Sequence, residues 1–164
     1  METKSRFWKE RLIVTELKKF LEKHPNTKGV EVMMPDNNGI IRGKRVDIYE
    51  AESLFEKGLN FCAATPLLDS GGDVIDGLIL GSDDGDPDIF GHPVDGSLNP
   101  VPWLEKEMAQ VLITLVDRDE NPYPYEARNI LNRIIKRLAD DDLYATIAVE
   151  LEFYLYSDHD GLMV

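Results

Sequence analysis

The residues Pro35-Asp36-Asn37-Asn38-Gly39 stand between two runs that each read as a strand, Gly29 to Met34 and Ile40 to Ile48. Proline followed by Asx residues and glycine interrupts any regular element. An Asn-Gly pair takes up the positive φ angles that a tight antiparallel connection needs. The chain therefore doubles back here, and whatever it folds into must contain a sheet.

The remaining pattern supplies elements to cover that sheet. Phe7 to His24 reads as an amphipathic helix, with Ile13, Leu17, Phe20, Leu21 and His24 on one face and Pro25 as its stop. Glu50 to Lys57 is predicted as a short helix closed by Gly58, and Leu59 to Ala64 as a third strand. From Asp69 to Gly96 aspartate and glycine dominate, and the stretch is predicted as a long loop. Order resumes from Leu98 to Trp103. Ala109 to Val116 is a buried-strand candidate, and Asp117 to Pro124 a turn. Ala127 to Leu138 reads as a helix with Ile130, Leu131, Ile134, Ile135 and Leu138 on one face. Tyr144 to Tyr156, rich in β-branched and aromatic residues, is predicted as a final strand before the polar tail from Ser157 to Val164. The order argues for an α+β fold with a mixed sheet.

The chain has 164 residues, of which 43% are hydrophobic, enough for one domain or one domain and part of another. Against 31 Asp and Glu there are 18 Lys and Arg, a formal charge of -13. Such a chain is a poor nonspecific nucleic-acid binder, because that binding needs cations to replace phosphate counterions. Its one cysteine, Cys62, forms no intrachain disulfide. The stretch from Met1 to Glu10 is too charged for a signal peptide, and no apolar run approaches the ~20 residues of a membrane span. A cytoplasmic protein without membrane or nucleic-acid partners is expected.

Most apparent motifs dissolve on inspection. Gly43-Lys44 lacks the first phosphate-loop glycine, because Asn38 occupies that place, and Arg45 follows the lysine. Asp117-x-Asp119-x-Asn121 begins like a calcium loop, but Pro122 replaces the glycine and Arg128 the closing glutamate. The aspartates around Asp83 and Asp86 read as a solvated loop. His24, His92 and His159 show no metal-ligand spacing, and Cys62, within a strand, reads as a small buried hydrophobe. Glu150-Leu151-Glu152 differs. Strand alternation would put both carboxylates on one face, ~7 Å apart, where they repel unless a hard cation such as Mg²⁺ or Mn²⁺ joins them. The other possibility is an edge strand whose glutamates face water, although the apolar flanks Ile147 to Val149 and Phe153 to Leu155 suggest a central one.

Several segments carry a resemblance. Ala148-Val149-Glu150-Leu151-Glu152-Phe153-Tyr154 resembles the E-x-E-F-[FY] segment opening the catalytic domain of glutamine synthetases. Pro122-Tyr123 with Ala127-Arg128-Asn129-Ile130-Leu131 resembles that family's PY…PR-x-[IV]-L stretch, with Ala127 in place of the proline. Asp36-Asn37-Asn38-Gly39 followed by Arg42-Gly43-Lys44-Arg45 resembles the D-x-x-G-x-x-R-G-K segment of the N-terminal β-grasp domain, and Leu98 through Trp103 resembles the L-x-x-x-P-W strand. Together they run from about Lys28 to Tyr156, and the γ-glutamylputrescine branch of the family is the nearest match.

The resemblance implies a helical segment at 1–27, a β-grasp domain at 28–123, and the start of a catalytic domain at 124–164. It implies a parent ligase that activates glutamate with ATP as γ-glutamyl phosphate, uses Mg²⁺ or Mn²⁺, and assembles as a homo-oligomeric ring with active sites between subunits. Glu150 and Glu152 match the first two metal ligands. No complete catalytic set lies within the chain, so the chain alone is expected to be inactive and to bind ATP weakly. Phe61-Cys62-Ala63-Ala64-Thr65 resembles the segment in which ammonia-using members carry an aspartate. Cys62 stands in its place, which implies an alkyl amine or polyamine acceptor, with the small Ala63 and Ala64 leaving room for it. Two other functions stay open: a noncatalytic β-grasp module docking onto ligase subunits, and a portion of a true ammonia-using glutamine synthetase.

Overall fold

The computed structural model describes residues 15–75, 77, 85 and 87–155. The chain divides into two units, residues 1–132 and 133–164.

The first unit is built on a mixed, curled sheet. Helix α1, described over residues 15–23, turns Leu17 and Phe20 inward; the part of the expected helix before residue 15 lies outside the described residues. Strands β1 (Gly29–Pro35) and β2 (Ile41–Asp47) pair antiparallel from Gly29↔Asp47 to Pro35↔Ile41. Their turn is the expected hairpin: Gly39, at φ 80°, donates its N–H to Asp36 O. A 3₁₀ turn, Ile48–Glu50, leads into α2 (Ala51–Lys57), which buries Ala51, Leu54 and Phe55 and ends at Gly58, whose N–H reaches Leu54 O. Then come β3 (Leu59–Cys62), β4 (Asp88–Pro93), β5 (Asn99–Val101) and β6 (Met108–Val116).

The sheet order is β2-β1-β6-β4-β3, with β5 also on β6. The β1–β6 pairing is parallel and the others antiparallel. Along β1 and β6 burial alternates, so Val30, Val32, Met34, Val111, Ile113 and Leu115 all face one core, joined by Leu54, Phe55, Phe61 and Ile89. The sheet curls until its two edges nearly meet: the Lys44 ammonium on β2 donates to Asn60 O on β3 at 2.6 Å and lies 4.9 Å from the Phe61 ring centre.

Strand β4 overturns part of the expected loop from Asp69 to Gly96. Its inward positions are Ile89, Gly91 and Pro93, two of them residues that read locally as breakers. Glycine is there for space, because a Cβ on Gly91 would sit 2.6 Å from Ile113 Cδ1 and 3.0 Å from Phe61 Cε2. Strand β3 also ends sooner than expected, at Cys62.

Tyr123 closes the base of the unit. It is buried, and its hydroxyl donates to Ala63 O at 2.9 Å. Tyr123→Phe keeps the ring and removes that one bond, so a loss of about 1 kcal/mol in a urea unfolding titration is expected.

Helix α3 (Ala127–Asp140) begins in the first unit and continues into the second. Among its residues only Asn129 is buried, and Ile130, Leu131, Ile134 and Ile135 are exposed. The strand expected from Tyr144 to Tyr156 does not form over its described residues: residues 143–155 have no regular secondary structure, and Ile147, Val149, Leu151 and Phe153 stand exposed. Their composition suits a strand, but a strand needs a neighbour to take its backbone N–H and C=O groups. No described segment pairs with them.

Candidate functional site

The chain between β3 and residue 73 is fixed from several directions. The Ala63 N–H reaches Pro87 O at 2.9 Å, and Tyr123 holds Ala63 O. The 3₁₀ turn Thr65–Leu67 follows, with buried Pro66. The tip of the β1–β2 hairpin then grips what comes next. The Asn37 N–H donates to Pro66 O at 3.0 Å, the Asn38 side-chain amide to Leu68 O at 2.8 Å, and the Arg42 guanidinium to Asp69 O at 2.9 Å.

Asp36 organises that hairpin. Its carboxylate accepts the Asn38 and Ile40 N–H groups on one oxygen, each at 2.8 Å, and Arg42 Nε on the other at 2.9 Å. Burial penalises the charge, but the bonds from Ile40, Arg42 and Asn38 and the Arg42 charge outweigh it, so the Asp36 carboxyl lies below its ordinary range. Asp69 closes a second turn by accepting the Gly71 and Asp73 N–H groups. The Asp73 bond, opposed by partial desolvation and helped by Gly71, Gly72 and Arg42, depresses its pKa as well. The Asp69 carboxylate is thus committed to its own loop.

Cys62 ends β3, opposite Asp88, half-buried, and its Sγ accepts the Ala64 N–H at 3.3 Å. Asn60, two residues earlier, reaches the Asp88 carboxylate at 3.3 Å. Ala63 and Ala64 are buried, which corrects the expectation that their small side chains leave open room: they fit packed space.

One polar cluster was not anticipated. Glu126 is fully buried just ahead of α3 and accepts the Asn129 N–H at 2.9 Å, the Arg128 N–H at 3.2 Å and the Thr114 hydroxyl at 3.3 Å. Asn129, buried beside it, donates to Leu115 O and Tyr123 O. Burial pushes the Glu126 carboxyl above its usual range, and the three hydrogen bonds and nearby Arg128 offset this only in part. The signal available in the sequence was an acidic residue immediately before a predicted helix start.

Glu150 and Glu152 lie exposed on the irregular stretch of the second unit. Among the described residues no group of three or more His, Cys, Asp or Glu side chains could hold a metal ion. Two solvent-facing carboxylates on an irregular chain do not define a coordination shell, so the residues present do not fit a metal by themselves. His92 lies 3.8 Å from the Glu120 carboxylate, His24 stacks near Phe20, and His159, Asp83 and Asp86 fall outside the described residues. A cleft of about 480 Å³ lies between α1 and residues 96–100; His24 lines it, whereas Cys62, Glu150 and Glu152 do not. No helix among the described residues is long and apolar enough to cross a membrane.

No protein-family model matches the chain. It is 42% identical over 140 residues to Gamma-glutamylputrescine synthetase PuuA of Escherichia coli (strain K12), covering 85% of this chain and 29% of that protein. It is 31% identical over 150 residues to Glutamate--isopropylamine ligase of Pseudomonas sp, covering 88% of this chain and 32% of that one. A crystal structure described as a novel glutamine synthase homolog superposes with a TM-score of 0.60 over 70% of this chain and 27% of its own, at 21% identity, which bears on the fold alone. The homologues are γ-glutamyl amine ligases and glutamine synthetases. These homologues are of the glutamine synthetase family, and the chain spans 29% and 32% of the two curated relatives named.

Proposed function

We propose that this chain is part of an ATP-dependent glutamate–amine ligase whose acceptor is an alkyl amine or polyamine. The observation that carries the proposal is the 42% identity over 140 residues to γ-glutamylputrescine synthetase, supported by the isopropylamine ligase match. In the reaction the γ-phosphoryl group of ATP passes to the glutamate side-chain carboxylate, and ADP leaves. The amine nitrogen then attacks the acyl carbon, loses a proton and expels phosphate. Residues 28–123 would be a β-grasp domain and 124–164 the start of the catalytic domain. Glu150 and Glu152 would be two of the ligands for Mg²⁺ or Mn²⁺ in the assembled site, whose remaining groups the chain lacks. By itself the chain is then inactive and binds ATP weakly, and the complete enzyme works as a homo-oligomeric ring.

Cys62 supports the choice of acceptor. Ammonium is a small cation, and holding it against water takes a fixed negative charge close by. A thiol that accepts its own loop's N–H offers none; the Asp69 carboxylate is used within its loop, and that of Asp88, opposite Cys62, takes the Asn60 amide. The test joins this chain, in place of the matching segment, to the remainder of the E. coli relative and compares putrescine with ammonium. Putrescine should be preferred by kcat/KM by about tenfold or more, and Cys62→Asp should narrow that preference by about fivefold, the worth of one added charge contact. A preference for ammonium would overturn the acceptor assignment.

A further inference from the structure

The two edges of the curled sheet, β2 and β3, share no backbone ladder, yet side chains join them. On β2, Arg42, Lys44 and Val46 share one face, opposite Met34, Val32 and Val30 of β1. Val46 ends in the core, whereas the two longer residues reach across the opening. Lys44 Nζ donates to Asn60 O on β3, and Arg42 Nη2 donates to Asp69 O in the loop beyond Cys62. The carbonyls they take lie on either side of Cys62. Arg42 is itself aimed, because its Nε is held by the buried Asp36 carboxylate, which leaves the far end of the guanidinium for Asp69 O. Lysine has a single nitrogen, so it does not reproduce the fork by which Nε binds Asp36 while Nη2 binds Asp69 O.

We propose that Arg42 and Lys44 are positioning residues for the acceptor-amine side of the ligase site: from one sheet edge they fix the Asn60–Asp69 segment that carries Cys62, without touching substrate. The inference rests on the ligase assignment above and adds residues that the acceptor argument alone does not name.

Two measurements test it separately. The first is hydrogen exchange on the 164-residue chain itself. The amides of Leu67, Asp69, Gly72 and Asp73, each bonded within the loop, report its order. Arg42→Met should speed their exchange about tenfold or more and leave the β1–β6 amides unchanged, the size expected from losing a charge-assisted bond. Arg42→Lys should restore only part of the protection. Because Arg42→Met strands a buried carboxylate and could unfold the chain, Lys44→Met, at an exposed position, provides the second variant; it should speed exchange at Phe61 and Cys62. Unchanged exchange in folded variants overturns the clasp. The second measurement uses the chimera with the E. coli relative. Arg42→Met and Lys44→Met should raise the KM for putrescine about fivefold, with kcat and the KM for glutamate and ATP within about twofold. A uniform loss of kcat, or no change, overturns the positioning role. A chimera with the native segment that forms no γ-glutamyl amide overturns the ligase assignment instead, and exchange still decides whether the clasp exists.

Discussion

Replacing Asp36 with alanine is expected to lower the unfolding free energy by about 3 kcal/mol, read as a fall in urea midpoint at unchanged slope. The magnitude follows from what the carboxylate holds. It accepts two backbone N–H groups at the hairpin tip and the Arg42 guanidinium, and alanine leaves all three without that partner. Hydrogen bonds to a charged group contribute about 1.5–3 kcal/mol each, discounted here because the exposed tip and the 21% exposed Arg42 side chain can take water instead. The pH dependence has a definite sign. The folded pKa of Asp36 is depressed, so its stabilisation is fully present above the unfolded carboxylate value of about 3.9 and is lost as pH falls through the folded pKa. Asp36→Asn should therefore flatten the acid limb of the stability curve. A variant that melts with the wild type at neutral pH would show that the hairpin does not depend on this carboxylate.

Glu126→Ala is expected to cost about 2–3 kcal/mol by the same titration. An N-terminal helix cap contributes about 1 kcal/mol, and here the Thr114 hydroxyl and two backbone donors of α3 lose their acceptor in a buried place. Glu126→Gln keeps one acceptor oxygen and should cost much less. The sign of the pH effect is opposite to that of Asp36. The folded pKa of Glu126 is raised, so the group favours folding fully below the unfolded value of about 4.3, and this contribution is lost as pH rises through the folded pKa. Relative to Glu126→Gln, the wild type should gain stability on mild acidification. Parallel pH profiles for the two proteins would refute the assignment of a buried, raised carboxyl.

Features carried by neighbouring residues were legible in the sequence. The hairpin turn rests on Gly39, the end of α2 on Gly58, and β6 on an apolar run interrupted only by Gln110 and Thr114, and all three are local facts. Strand β4 was not legible, because Gly91 answers to Phe61 and Ile113, which are distant in sequence. Glu126 and Asn129 are polar residues in a buried place, and only their partners explain that. Residues 144–155 show the reverse failure: their composition suits a strand, but pairing requires a neighbour. At the site, the placement of Cys62 on a strand came within reach of pattern analysis, whereas the strand's end at that residue did not. The clasp from Arg42 and Lys44 did not, since it depends on how far the sheet curls.

The placement of β6 governs the order in which this protein can acquire its shape. The strand is hydrogen-bonded to β1, β4 and β5, and its parallel register with β1 joins Gly29 to Met108. A nascent chain that has emerged only as far as β5 owns the β1–β2 hairpin and the β3–β4 pair but has no central strand between them. Both halves then expose Val30, Val32, Phe61 and Ile89 to water. Folding during synthesis must wait for Val116, and until then the waiting strand edges offer themselves to other chains.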